Sequence, residues 1–467
     1  MGDHMKQKRS ARTSQRSFVS ASPSFREIGE LMRLERPGRM VLGLYATYAY
    51  GHHPSAWRHS GSGGATPSSL SYFTHLARCA EEALLDFIFL ADTPSVFNDE
   101  RGGRSGRVVG LEPITLLSAL ASCTSHIGLI GTLSTTFNEP YNVARQIASL
   151  DHLSGGRAGW NIVTSSKHGA ARSFGLDGLP THIDRYGRAE EFVEVVNTLW
   201  HSWSHDAFIR DRIAGIYYRP EGRRPVAFEG KYLSVFGELN VEPCPQGRPV
   251  LVQAGASPSG VRLGARWADM IFTAASEYSE AERFIRTLER AMSDVKRVGK
   301  RPLVLPGVSV YGGKSRAEAR ARFDELLDLV HPEHAISMLS DQLGVDLSDR
   351  DPSLPLGNKM PASKGNQSKR ERILAMAGAD PKLTLIQLAR KISVARSHLI
   401  LVDSWDGVAD SLVSWFNTGV CDGFNVMPPV LPEDLYGFVN EVIPRLQDRG
   451  VAARSQELGT LRDRVRA

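Results

Sequence analysis

Short apolar runs alternate with longer segments of helical periodicity along most of this chain. The runs are mostly unalternating, as in strands that are buried on both faces. Because each run is followed by a helical stretch, the pattern favours a closed barrel over an open sheet. The eight predicted strands are Met40–Tyr45, Phe87–Asp92, Ile127–Thr132, Ala158–Thr164, Val250–Ala254, Met270–Thr273, Leu303–Val310 and Gly423–Met427.

This pattern predicts a (β/α)8 TIM barrel over residues 39–452, with insertions after strands. Residues 51–69, 204–247 and 331–398 break the rhythm, and the second of these includes a predicted β-hairpin around 227–235. Loops that follow barrel strands lie at the face where the chemistry is done. We therefore expect the insertion 331–398 to act as a lid, and residues 453–467 to form a C-terminal tail.

The composition is that of an ordinary globular protein. Hydrophobic residues make up 42% and charged residues 23% of the 467 positions. No apolar run approaches the roughly 18 residues that a membrane span needs, and the chain opens without the apolar core of a secretory signal. The four cysteines are scattered, so neither a zinc site nor a disulfide framework is indicated. We expect a cytoplasmic protein with no membrane partner.

The first 38 residues form a basic, serine-rich tail. Residues 5–39 hold nine Lys and Arg against three Glu, a net of +6, whereas the whole chain is +5. Residues 1–4 resemble a cloning scar. No stacking aromatics interleave with the basic residues, which argues against nucleic-acid binding. We predict a flexible arm or an oligomer contact.

A candidate phosphate site lies at Gln253–Gly260, where a strand ends and a helix begins. Small residues let backbone amides approach a phosphate, and a helix N-terminus favours its charge. Ser257 adds a hydroxyl. The pattern alone is equally compatible with Ser257 as a helix cap followed by Pro258. We find no GxGxxG that would mark a dinucleotide domain.

Several blocks resemble one known family when they are taken in order. They include Glu112–Leu117, Ser125–Tyr141, Ala144–Ser165 with the run Leu-Ser-Gly-Gly-Arg-Ala-Gly-Trp-Asn, Pro245–Ser257 and Asp422–Pro429. The chain thereby resembles the bacterial-luciferase-like flavin monooxygenases from about residue 39 to 450. The closer resemblance is to the subgroup with nitrilotriacetate, dibenzothiophene sulfone and long-chain alkane monooxygenases.

The resemblance implies a TIM barrel of the bacterial luciferase type and a two-component, FMN-dependent monooxygenase. Such an enzyme takes reduced FMN from a separate NAD(P)H:flavin reductase and uses O2 to oxygenate a small organic substrate, heteroatom-containing compounds included. It also implies a homodimer or homotetramer. Two rival readings remain: a deazaflavin-dependent dehydrogenase on the same barrel, and a non-catalytic luciferase-like subunit.

The resemblance also assigns cofactor-binding residues. His182 and Tyr186 match side chains that reach the FMN phosphate together with Ser257; the alternative is surface exposure or packing against Trp200.

Three further positions match residues on the flavin. Thr132 and Asn161 match contacts to its ring or ribityl chain, and Asp92 ends the second strand, where a buried carboxylate needs partners. Asp92 is equally compatible with a structural acceptor. Retention of Asp92, Asn161, Tyr186 and Ser257 argues against the non-catalytic reading.

Two histidines match active-site histidines of the sulfone monooxygenases. His52 is the first candidate for an acid–base group and His331 the second, although both are also compatible with packed loop histidines. His52 and His53 are adjacent and have no carboxylate at ligand spacing, so a metal site is not predicted. Phe89 and Phe272 are predicted to line an apolar substrate slot, or else to be core residues.

The chain departs from the family pattern near the presumed substrate side. Ser397-His398 stands where a Gly-His pair is common, and both Asp403–Asp406 and Phe228–Tyr232 differ from the usual motifs. These changes leave the flavin inference in place, but the substrate's identity cannot be carried over from the family.

Overall fold

A sheet of parallel strands organises the part of the chain that the computed structural model describes, residues 38–63, 66–96, 103–165, 167–357, 367–395 and 397–465. All eight predicted strands are present. The strands are β1 Val41–Tyr45, β2 Phe87–Leu90, β3 Gly128–Ser134, β4 Ala158–Val163, β5 Val226–Glu229, β6 Ser234–Gly237, β7 Val250–Gln253, β8 Met270–Thr273, β9 Leu303–Gly313, β10 Leu399–Ser404 and β11 Gly423–Val426.

The order of strand pairing closes a barrel. Strands β1, β2, β3, β4, β7, β8, β9 and β11 pair in that order, each with a parallel neighbour, and β11 returns to β1. The predicted (β/α)8 TIM barrel is confirmed. The strands are apolar on both faces because one face packs on helices and the other fills the lumen. The predicted hairpin around 227–235 is the antiparallel pair β5–β6.

Helices cover the outside of the barrel and form the insertion. They are α1 Leu70–Glu82, α2 Pro113–Ala121, α3 Pro140–Leu153, α4 His168–Ser173, α5 His182–Trp200, α6 Pro258–Trp267, α7 Tyr278–Asp294, α8 Arg316–Asp328, α9 Pro332–Leu343, α10 Gln367–Ala379, α11 Leu385–Ala395, α12 Trp405–Asn417, α13 Glu433–Gly437, α14 Ile443–Asp448 and α15 Leu461–Arg464, with a π-helical turn Phe438–Val442 between α13 and α14. Apolar side chains on their inner faces form one large core with the outward residues of the strands.

One barrel-sheet strand, β10, was not predicted. It pairs in parallel with β9 from Val308 to Gly313, beyond Pro306, where the pairing of β8 with β9 ends. Helices α9 and α11 of the preceding insertion pack around a core of their own, which includes Leu339 and Leu388. β10 therefore carries the chain from the insertion back to the barrel.

The N-terminal ends of the strands, here called the closed end, carry a repeated Arg–Asp clamp. In each copy an Asp directly before one strand accepts hydrogen bonds from an Arg that lies two residues before a neighbouring strand. The same carboxylate also accepts a backbone N–H of that neighbouring strand. The three clamps are Arg39–Asp86 with the N–H of Leu42, Arg248–Asp269 with that of Leu251, and Arg301–Asp422 with that of Val304.

The segment predicted as the C-terminal tail, 453–467, packs against the closed end in its described part. Leu461 and Val465 are buried in the same cluster as lumen residues of the strands. A Cβ added to Gly128 would lie 2.6 Å from Leu461 Cδ1, so this glycine leaves room for the leucine. The N–H of Leu461 donates to the carbonyl of Gly156 at 2.9 Å. Leu461 therefore plugs the lumen.

The predicted basic tail, 1–38, lies outside the described residues except for Gly38. Within the described ranges, no helix is long and apolar enough to cross a membrane.

Candidate functional site

Two segments about seventy residues apart meet at the C-terminal ends of the strands, here called the mouth. His182 is the first residue of α5 and Tyr186 lies one turn later, with their ring centroids 4.7 Å apart. Ser257 caps α6 by accepting the N–H of Gly260 at 3.1 Å, and its hydroxyl donates to Tyr186 Oη at 3.3 Å. Ser257 is thus a helix cap and a neighbour of Tyr186 at once. The three predicted phosphate residues come together.

Two glycines let the backbone and Tyr186 pack closely together here. A Cβ on Gly260 would lie 3.1 Å from both Tyr186 Oη and the carbonyl oxygen of Gly255, and a Cβ on Gly255 would lie 2.6 Å from Gln253 Nε2. Backbone N–H groups can therefore approach a ligand closely at the N-terminus of α6, where the helix dipole favours an anion. This cradle of small residues, hydroxyls and a helix end fits a phosphate.

The predicted pair on β3 and β4 lies inside the lumen. Thr132 and Asn161 are buried, and Asn161 Nδ2 donates to Thr132 Oγ1 at 2.9 Å. Asn161 Oδ1 is also buried and has no hydrogen-bond partner among the described residues. A buried amide oxygen that is left unsatisfied costs free energy, so it marks a place that suits a polar ligand atom. An amide N–H of a flavin ring has the required chemistry.

Asp92 follows β2 at the mouth. Its side chain is accessible to solvent from the mouth, yet nearby protein atoms limit its hydration. This partial desolvation raises the pKa of the Asp92 carboxyl, the negative charge of Glu112 raises it further, and a hydrogen bond from the N–H of Thr93 opposes both. The carboxyl is therefore easier to protonate than an ordinary surface aspartate.

Five rings form a closed circle across the mouth, here called the aromatic circle. Phe89 stacks on Tyr45 with centroids 5.9 Å apart and contacts Phe272 at 5.4 Å. Phe272 stacks on His398 at 5.4 Å, and His398 meets His52 edge-on at 5.8 Å. His52 completes the circle against Tyr45 at 5.9 Å. Predicted residues His52, Phe89 and Phe272 thus share one apolar patch that also presents imidazole nitrogens.

His331, the second predicted catalytic histidine, occupies a different setting. It is the N-cap residue of α9, is about one-third exposed, and its Nδ1 lies 3.9 Å from Glu333 Oε2 on the same helix. The contacts described for His331 connect it to the start of the insertion and not to the aromatic circle. Its role remains a prediction.

Sequence reasoning did not assign four buried or ring-stacked residues of the mouth. Tyr45 and His398 complete the aromatic circle. Gln253 Oε1 and both amide atoms of Asn425 are buried without a hydrogen-bond partner among the described residues. A polar residue inside an apolar strand run was the available signal for Gln253 and Asn425, because such a residue is costly unless it has a use.

The family model described as luciferase-like monooxygenase matches residues 51–421 of the chain. Two curated relatives are similar over almost their whole length. The chain is 41% identical to N-acetyl-S-(2-succino)cysteine monooxygenase of Bacillus subtilis (strain 168), which covers 91% of this chain and 96% of the relative. It is 40% identical to nitrilotriacetate monooxygenase component A of Aminobacter aminovorans, with 89% and 94% covered.

A solved structure of a riboflavin lyase, described as containing modified FMN and riboflavin, superposes with a TM-score of 0.79. It is 31% identical to this chain and covers 92% of it and 96% of its own length. Fold and sequence comparisons therefore agree over nine-tenths of the chain.

Proposed function

This chain belongs to the luciferase-like monooxygenase family, and from that premise we propose that it is the oxygenase of a two-component, FMN-dependent system acting on a small organic substrate. When bound, reduced FMN supplies the two electrons that let one atom of O2 enter the substrate while the other leaves as water. The protein would bind and orient the flavin and the substrate, exclude water from the site and transfer protons.

The cradle at the N-terminus of α6 is the observation that carries this proposal. Tyr186 would donate its hydroxyl proton to the FMN phosphate, and Ser257 would do the same by turning its hydroxyl from Tyr186 to the phosphate, with His182 beside them. Their hydrogen bond supports this assignment, because it places two hydroxyls together at the N-terminus of α6, where the helix dipole favours an anion. A charged phosphate held here would leave the flavin ring to extend toward the lumen.

The ring side would be held by lumen residues. Asn161, through its unsatisfied amide oxygen, and Thr132, its hydrogen-bond partner, would contact polar atoms of the flavin. Asp92 has a raised pKa, so its carboxyl would keep its proton to a higher pH than that of an ordinary aspartate.

The aromatic circle would form the substrate side. Phe89 and Phe272 offer an apolar surface, and His52 would handle a proton beside it, since imidazole exchanges protons near neutral pH. His331, at the start of the insertion, would be a second acid–base group.

A separate NAD(P)H:flavin reductase is the proposed partner. One relative is named as component A of its enzyme, which supports a division between oxygenase and reductase. Assembly as a homodimer or homotetramer and a cytoplasmic location are further proposals drawn from the family resemblance.

The test is oxygen incorporation. The purified chain, a general flavin reductase, NADH, FMN and O2 would be incubated with N-acetyl-S-(2-succino)cysteine, with nitrilotriacetate and with a panel of small sulfur and nitrogen compounds. Products would be scored by mass with 18O2. We expect one labelled oxygen in at least one product, and none when the chain is omitted.

A parallel anaerobic titration with reduced FMN separates the rival readings. Binding of FMN followed by O2 uptake supports the proposal. Binding without any reaction with O2 would favour a deazaflavin-type dehydrogenase, and failure to bind flavin in either redox state would leave a non-catalytic subunit.

A further inference from the structure

The hydroxyl of Ser309 joins His52 to the backbone at the mouth. Ser309 lies in β9 and is buried, as is His52. Its Oγ is 3.0 Å from the carbonyl oxygen of Met427 and 3.4 Å from His52 Nδ1. A serine hydroxyl has a single proton, and a carbonyl oxygen can only accept one. The direction of both contacts is therefore fixed by the shorter one.

The proton of Ser309 goes to Met427, because otherwise two sets of lone pairs would face each other at 3.0 Å in a buried place. The oxygen of Ser309 is then left to accept from His52, so Nδ1 of His52 must carry hydrogen. A neutral imidazole has one protonated and one unprotonated nitrogen. Nε2 is consequently the unprotonated nitrogen.

We propose that Ser309 is a positioning residue that holds neutral His52 in the Nδ1–H tautomer and so makes Nε2 its proton-accepting atom. This inference rests on the proposed role of His52 in the mouth. It assigns a direction to that role: at pH values where the ring is neutral, His52 takes a proton through Nε2 and returns it from the same atom.

The main chain and the ring plane of His52 are held by neighbours other than Ser309. The backbone N–H of His52 donates to the backbone carbonyl of Pro428 at 2.8 Å, in the segment after β11 that also contains Met427. The ring stands nearly perpendicular to Tyr45 and to His398, with interplanar angles of 89° and 85°. A 180° flip of the ring would keep both angles but would place Cδ2 instead of Nδ1 beside Ser309, so the contact with Ser309 distinguishes the two orientations.

The tautomer can be measured directly by NMR of the chain with 15N-labelled histidine rings, without FMN or substrate. His52 is assigned as the ring signal that disappears in His52→Gln. At a pH where the ring is neutral, we expect hydrogen on Nδ1 in the wild type. In Ser309→Ala we expect the Nε2–H form or a mixture, whereas Ser309→Thr keeps a hydroxyl and should retain the wild-type pattern.

Ser393→Ala is the matched control, since Ser393 is equally buried and its hydroxyl donates to the carbonyl of Arg390. It should leave the His52 signals unchanged. A wild-type ring with hydrogen on Nε2, or a Ser309→Ala spectrum identical to the wild type, would overturn the inference. The wild-type spectrum alone decides the point if Ser309→Ala does not fold.

Turnover provides the second readout. With an established substrate, Ser309→Ala should lower kcat about tenfold with little change in KM, and Ser309→Thr should restore most of it. Because the NMR measurement needs no catalysis, an Nδ1–H tautomer in a chain that oxygenates nothing would refute the proposed function and leave the positioning role standing. An Nε2–H tautomer in a chain that does oxygenate a substrate would refute the positioning role and leave the proposed function standing.

Discussion

The two ends of the barrel differ in whether their buried polar groups have hydrogen-bond partners. At the closed end, each of the three clamp aspartates accepts two kinds of donor, an arginine and a backbone N–H. At the mouth, Asn161 and Asn425 keep buried amide atoms that no described residue satisfies. Satisfied polar groups stabilise a fold, whereas unsatisfied ones cost stability and persist where a ligand uses them. This contrast indicates that the closed end stabilises the barrel, whereas the mouth binds a ligand.

The largest expected effect breaks a clamp. Asp269→Ala leaves the guanidinium of Arg248, about one-eighth exposed, without its carboxylate. We expect the free energy of unfolding to fall by about 3–5 kcal/mol, the usual result of removing one partner of a buried pair. Denaturant unfolding measures it. Asp206→Ala, which removes an exposed partner of Arg219, should cost far less, because solvent screens that pair. Equal costs for the two variants would contradict a stabilising role for the clamps.

A charge in the cradle should abolish binding and spare the fold. Aspartate is as good a helix cap as serine, so Ser257→Asp keeps the N-terminus of α6 stable while placing a carboxylate where the phosphate is proposed to lie. We expect FMN affinity to fall at least about a hundredfold, with little change in the melting temperature. Anaerobic fluorescence titration measures the affinity. Ser257→Thr is the control and should bind nearly as well as the wild type.

Replacing the unsatisfied amide should lower FMN affinity and leave stability almost unchanged. Asn161→Leu removes the orphaned Oδ1 together with the donor to Thr132. Because the lost amide was only half satisfied, we expect a stability change within about 1 kcal/mol of zero, and an FMN affinity lower by about tenfold. Thermal unfolding and flavin titration report the two quantities. A large loss of stability with unchanged affinity would make Asn161 a structural residue.

The smallest effect concerns an Asp–Arg pair on the mouth side. Burial raises the pKa of Asp434 to about 6, although Arg322 lies 3.0 Å away and opposes the shift. The folded state therefore holds this proton more tightly than the unfolded chain, so the contribution of Asp434 to stability falls as pH rises from about 4 to 6. Between pH 5 and 6 the change is about 1 kcal/mol. Asp434→Asn should remove this slope from the unfolding free energy, and a slope that persists would assign it to another group.

Much of the fold could be predicted from the sequence because strands buried on both faces leave continuous apolar runs. The eight barrel strands and the 227–235 hairpin were found in this way. β10 was missed because a short apolar run next to a long insertion does not reveal whether it is strand or helix. β10 pairs with β9 only beyond the residue where the β8–β9 pairing ends. That end point depends on the assembled barrel and not on the local sequence.

The candidate site could be predicted only in part. Matching motifs placed Ser257 with Tyr186, and Thr132 with Asn161, before any geometry was known. Tyr45 and His398 were not assigned, because an aromatic residue in the core and one that lines a mouth have the same sequence pattern. The Arg–Asp clamps were not predicted either, since the two partners of a clamp can lie more than a hundred residues apart, as Arg301 and Asp422 do.

The plug formed by Leu461 has a consequence for synthesis of the protein. β1 leaves the ribosome before its barrel neighbour β11 and before Leu461, the residue that fills the lumen. At typical translation rates the nascent chain spends on the order of tens of seconds with an open sheet and exposed apolar lumen faces. Chaperone capture during that interval, and sensitivity of yield to translation speed, follow from the late synthesis of β11 and Leu461.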